Sequence, residues 1–176
     1  MSELVERLQR KIREVSGNIR STVPFSVAVL GPGETQESYP KRNQIRQELI
    51  GDGFEAFLPE EIVLMDESLD VLRQEIAILE DELVDFVCIL NTSPGPGQEL
   101  AAFADIDSIV EKSFLLCPDK YYQPGRTFPS DVIEQYDNRH IFSKKAYDEC
   151  RVVRECISRA RVRRVRKQKQ LSSKQM

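Results

Sequence analysis

Three short apolar runs constrain this chain most. They are Phe25-Ser26-Val27-Ala28-Val29-Leu30, Asp85-Phe86-Val87-Cys88-Ile89-Leu90 and Ser113-Phe114-Leu115-Leu116-Cys117. The second shows no polar alternation, as expected of a strand covered on both faces, and should lie centrally beside the first. Two shorter strands are expected at Phe54–Leu58 and at Arg139-His140-Ile141-Phe142. Helical spacings fill the gaps: Ile45 and Leu49 within 41–50, stopped by Gly51 and Gly53, then Leu69, Leu72, Ile76 and Leu79 within 68–82. Further helices are expected from about 98 to 107, as a turn at 131–137, and from about Ser143, with Tyr147, Cys150, Val153 and Ile157 inward. Leu4, Val5, Leu8, Ile12 and Val15 give residues 3–20 an amphipathic helix.

Strands alternating with helices at this pitch imply βαβ units and a parallel sheet covered on both faces. The expected fold is an α/β three-layer sandwich around a central parallel sheet of about five strands, flavodoxin-like or Rossmann-like. An N-terminal helix and a long basic C-terminal helix are added to it. The expected organisation is one domain over 1–158, with the N-terminal helix at 1–20, the core at 25–142 and the C-terminal helix at 143–158. A basic tail follows at 159–176.

The net charge of −4 conceals an asymmetry: residues 151–176 carry ten Lys/Arg and one acid, leaving 1–150 at −13. Such a basic run can bind nucleic-acid phosphates by counterion release. It can equally be a solvated helix end, or one that meets the acidic body of a neighbouring subunit. Val152, Val153, Cys156, Ile157 and Ala160 make the preceding helix apolar on more than one side, which predicts a homo-oligomer, most simply a twofold dimer. No apolar run is long enough to span a membrane, and residues 1–6 lack a secretion signal, so a cytoplasmic protein is expected. Four isolated cysteines and one histidine argue against a zinc site or a disulfide framework.

In parallel sheets of this kind, ligands bind at the carboxyl ends of the strands. Two loops stand there. Gly31-Pro32-Gly33 lacks both the GxGxxG spacing and the GK[ST] ending of known phosphate loops, yet polar Glu34 to Tyr39 follow it, more residues than a plain reversal needs. Arg42, early in the next helix, would point back to this mouth and is a candidate contact for phosphate or carboxylate. The second loop, Asn91-Thr92-Ser93-Pro94-Gly95-Pro96-Gly97, leads into Gln98-Glu99-Leu100. Its prolines fix it, its glycines admit a ligand closely, and Glu99 falls in the first turn of a helix, where the dipole favours its anion. A rigid anionic carboxylate suits an oxocarbenium-like sugar carbon, although first-turn acids are also common for stability alone. Tyr121-Tyr122 can stack on a base or belong to a flap, while His140, Cys88 and Cys117 read most simply as structural.

The stretch Gly95-x-Gly97-x-Glu99-Leu100 resembles the glycine-rich segment carrying the nucleophilic glutamate of nucleoside 2-deoxyribosyltransferases. The layout is also similar to that of TIR-like NAD glycohydrolases. Supporting stretches are Val27-Ala28-Val29-Leu30-Gly31-Pro32, the segment Arg46 to Glu60, Leu83-Val84-Asp85-Phe86-Val87 and Lys112-Ser113-Phe114-Leu115-Leu116. The resemblance spans about residues 25–117. It implies cleavage or transfer at the N-glycosidic bond of a nucleoside, nucleotide or NAD-like substrate, with Glu99 as the catalytic group. Asn91, Ser93, Gly95 and Gly97 would shape the sugar site, facing a wall of Gly31, Pro32, Glu34, Tyr39 and Arg42. Neither metal nor cofactor is required. Deoxyribosyltransferases often hold the base with an aspartate six residues before the glutamate, where this chain has Ser93. The chain also has no tryptophan, unlike the TIR-type site. A nucleotide-sensing module of a signalling or defence system, with the pocket kept and the chemistry lost, is the alternative.

Overall fold

The computed structural model describes residues 23–63, 70–92, 97–122 and 128–174. The helix expected at 3–20 lies outside them. Five parallel strands form the centre: β1 (Ser26–Leu30), β2 (Glu55–Phe57), β3 (Phe86–Leu90), β4 (Ser113–Pro118) and β5 (Arg139–Phe142). Their order is β2-β1-β3-β4-β5. This is the flavodoxin-like arrangement, whose switch point falls between β1 and β3. Val27 pairs with Phe86 and Leu30 with Ile89, which makes β3 central and β1 its neighbour. Helices α1 (Tyr39–Gly51), α2 (Val71–Glu80), α3 (Gly97–Ala104), α4 (Asp107–Lys112), α5 (Phe128–Glu134), α6 (Lys144–Asp148) and α7 (Arg151–Ser173) flank the sheet.

Two buried layers explain why the strands lack alternation. Val27, Val29, Phe86, Cys88 and Leu90 pack against Ile45 and Leu49 of α1 and against Val152, Val153, Cys156 and Ala160 of α7. Ala28, Leu30, Val87 and Ile89 pack on the other face against Leu79, Leu100, Phe103, Ile109 and Ile133. Successive side chains of a strand alternate in direction, but both directions lead into a core.

The C-terminal region departs from expectation in three ways. First, the helix expected from Ser143 is two helices. Ser143 caps α6 by accepting from the Ala146 N–H, and Cys150, in the left-handed region at φ 58°, separates α6 from α7. Secondly, the helix expected to end at 158 continues to Ser173. Thirdly, Val152, Val153, Cys156 and Ala160 are all buried within this chain, with Ile157 packed beside them. Four of those five side chains are therefore spent within the chain, Ile157 is half-buried, and the exposed apolar residues of α7 are Val162, Val165 and Leu171.

Several cations of α7 have local partners as well. Phe25, Phe54, Phe86 and Phe114 stand at the amino ends of β1, β2, β3 and β4, and a cation of α7 lies over each ring. Lys167 is 5.8 Å from the Phe25 centroid, Arg164 3.9 Å from Phe54, Arg163 5.9 Å from Phe86 and Arg159 5.5 Å from Phe114. Arg161 also grips Asp52 in a two-pronged contact of 2.7 and 2.8 Å. Lys167 reaches Asp85 at 2.7 Å, and Asp85 accepts from the Ser26 N–H at 3.0 Å. The basic segment is thus a helix fastened across the amino rim of the sheet. No described helix is long and apolar enough to cross a membrane.

Candidate functional site

At the opposite rim, β1 and β3 deliver their carboxyl ends to the switch point. The chain turns away from β1 at Gly31, whose φ is 147° and whose added Cβ would stand 2.8 Å from the Leu90 carbonyl oxygen. Only glycine suits that conformation at that distance. Gly31→Ala is expected to lower stability by about 2 kcal/mol, the scale of one strained backbone position. Urea denaturation checks this; an unchanged midpoint would refute the close approach.

Arg42 of α1 holds the loop from inside. It is buried, 3% exposed. Its Nε and Nη2 donate to the Val29 carbonyl at 3.0 and 2.8 Å, and its Nη1 donates to Pro32 O at 3.2 Å. Both terminal nitrogens also donate to Glu60, each at 2.6 Å. A guanidinium has five donors, and all are committed here. Arg42 therefore meets a carboxylate of its own chain, and what it offers the cleft is charge.

A cavity of about 480 Å³ opens over this loop. It is bounded by Leu30, Gly31, Pro32, Gly33, Glu34 and Gln36 on the β1 side, with Arg42 and Glu60 behind them. Glu75 of α2 and Glu99 of α3 complete it. The structure thus brings together Gly31, Pro32, Glu34, Arg42 and Glu99 of the sequence-selected residues. Tyr39 and Asn91 do not line this cavity. Tyr39 packs on the α1–α7 core, and Asn91 is buried, its N–H donating to Leu116 O at 2.9 Å. Ser93 and Gly95 lie outside the described residues, and Gly97 is the first residue of α3. A second cavity, of about 290 Å³ between Glu37, Thr92, Asp119, Lys144 and Tyr147, contains none of the selected residues.

Glu60 and Glu75 are the residues that sequence reasoning missed. Glu75 had a readable signal: it lies three residues after Leu72 and four before Leu79, an acid on the flank of an apolar helix face. Glu60 follows directly on the carboxyl end of β2, in the short turn Pro59–Glu61. Together with Glu34 and Glu99 they place four carboxyl groups around one guanidinium.

Crowded acids in a partly buried cleft repel one another's charge. Burial, then the charges of Glu99 and Glu60, push the Glu75 carboxyl up to about 7 against the pull of Arg42. Glu99 is also raised, by burial first and by Glu60, with Arg42 opposing. The expectation that its helix end would favour the anion had the opposite sign. Desolvation first, with Glu60 behind it, outweighs the pull of Arg42. Such a site holds a proton close to neutral pH, beside a second carboxylate. Among the described residues, no group of three or more His, Cys, Asp and Glu is placed to hold a metal ion. No family model matches the chain, and no curated protein matches it.

Proposed function

We propose that the cleft breaks or transfers the N-glycosidic bond of a nucleoside, nucleotide or NAD-like substrate. The observation that supports this reading is the pair Glu75 and Glu99. The two acids come from different helices to one cavity at the switch point, and one is protonated up to about pH 7. Cleavage of a glycosidic bond needs a proton for the leaving group and a negative charge for the oxocarbenium-like sugar carbon. Glu75 supplies the proton to the departing base. Glu99, whose charge is itself one cause of the Glu75 shift, faces the sugar carbon as nucleophile or stabiliser. Glu34 accepts from sugar hydroxyls, and Arg42 fixes the glycine turn and tempers the acid charge.

Incubation with nucleosides, nucleotides and NAD, followed by chromatography of the released base, tests the reading. Binding without release of base would leave the sensing module as the function. Turnover should fall as pH rises past about 7, where Glu75 loses its proton. Glu75→Gln should abolish that limb and cost about a hundredfold in kcat.

The same substitution has a stability consequence of opposite sign. The folded pKa of Glu75 lies above the ordinary glutamate value of 4.5, so ionisation is harder in the folded chain. That penalty is absent below about pH 4.5, grows as pH rises, and is complete above about pH 7. Glu75→Gln should match the wild type in stability near pH 4 and exceed it by about 1–3 kcal/mol at pH 8. Denaturant titrations at the two pH values measure the difference, and equal stability at both would show that Glu75 carries no raised proton affinity.

A further inference from the structure

We propose that Cys88 and Cys156 form a redox pair that closes to a disulfide and locks α7 onto the central strand. Cys88 points from β3 into the layer under α7, and Cys156 points down from α7 into the same layer. Both are fully buried free thiols, and their Sγ atoms lie 2.7 Å apart. Non-bonded atoms of carbon size pack at about 3.5–4.0 Å, and sulfur is larger, so the core holds these sulfurs inside ordinary contact distance. A covalent S–S bond needs about 2.05 Å, so the two sulfurs have well under an ångström left to close. The remaining cysteines are placed differently. Cys117 lies against Asn91 and its own chain's carbonyl at Pro118, and Cys150 against Lys41 and Gln44.

The chemistry balances with a peroxide as oxidant. One thiolate attacks a peroxide oxygen, giving a sulfenic acid and releasing hydroxide. The second thiolate displaces the sulfenic hydroxyl as another hydroxide, and two thiols and one hydrogen peroxide become one disulfide and two waters. The closed fold resists the first step. Burial, with Cys88 beside it, pushes the Cys156 thiol well up, so little thiolate is present and no peroxide reaches it. The reaction therefore waits for α7 to lift, and it is completed when the helix settles with its sulfur next to Cys88. Once formed, the bond is shielded from reductants by the same burial. It ties together residues 68 apart in sequence and holds the cations of α7 over the phenylalanine row.

The test uses the full chain carrying Cys150→Ala, which removes the partly exposed thiol. Hydrogen peroxide is added with and without urea below the unfolding midpoint, and the product is alkylated and mapped without reduction. The expected result is a mass loss of about 2 Da, the mass of two hydrogens, with one peptide pair joining Cys88 to Cys156. Formation should be at least about tenfold faster in urea, because opening limits it. The product should melt about 10 °C higher, reversibly with dithiothreitol, as the closed loop restricts the unfolded chain. Recovery of both sulfurs separately alkylated, a link from either to Cys117, or oxidation to sulfinic acid would each overturn the pairing. A linked product melting at or below the reduced protein would overturn the lock.

Discussion

Glu99→Gln should lower release of base from a nucleoside or NAD by at least about a hundredfold, the usual scale for losing a nucleophile or an electrostatic group. The amide keeps the shape of the side chain and removes the charge that would meet the sugar cation. A second readout separates this from a purely structural role. Burial is the largest cause of the Glu75 shift and the Glu99 charge the next, so the variant should bring the Glu75 pKa part of the way down from about 7. Carbon-13 NMR of the side-chain carboxyls follows that shift directly. Stability should hold or rise slightly at pH 8, because the Glu99 carboxyl is raised by burial and its ionised form is therefore disfavoured in the fold. Full activity in Glu99→Gln would eliminate the glycosidase reading, whatever happens to Glu75.

Asp52→Asn should cost about 3–5 kcal/mol and about 10 °C in Tm, the largest loss expected from a single side chain at the amino rim. Asp52 is 7% exposed at the end of α1. Arg161 grips it in two contacts, and Arg164, itself 3% exposed, approaches to 4.0 Å while donating to Gly53 O at 3.1 Å. An asparagine removes the carboxylate charge beside the buried Arg164 guanidinium and weakens both prongs of the Arg161 grip, and breaking a buried ion pair is expensive. Arg161→Ala provides the contrast. Its side chain is 56% exposed, and its loss leaves Arg164 beside the Asp52 carboxylate, so it should cost less than Asp52→Asn. Thermal melts of the two variants, side by side, decide the matter; equal losses would mean that burial of Arg164 is not what makes Asp52 valuable.

The sheet was legible because its strands are buried on both sides and so stand out as apolar runs. Each of the five lies within two residues of its expected bounds. Helix α4 escaped notice since only Ile109 of its six residues is buried, which leaves no periodic stripe. The break at Cys150 was hidden for another reason. A left-handed residue is usually announced by glycine or asparagine, and here a cysteine adopts it. Within the site, Glu99, Glu34 and the glycine turn could be read from loop chemistry at strand ends. The closure of Arg42 on Glu60 could not, because it depends on how β2 returns beside β1. The basic segment was read by its charge alone, whereas its partners Phe25, Phe54, Phe86 and Phe114 are scattered through the chain.

Those four rings also impose a timetable on synthesis. A chain emerging from the ribosome, at about 5–20 residues per second, makes β1 to β4 well before residues 159–167 appear. During that interval the phenylalanine row has no cation above it, and the apolar layer containing Val27, Val29 and Cys88 lacks half of its cover. A nascent chain at this stage is a partly roofed sheet, with apolar side chains of that layer facing water. The layer from β2 to β4 gains its cover only when α7 settles over it.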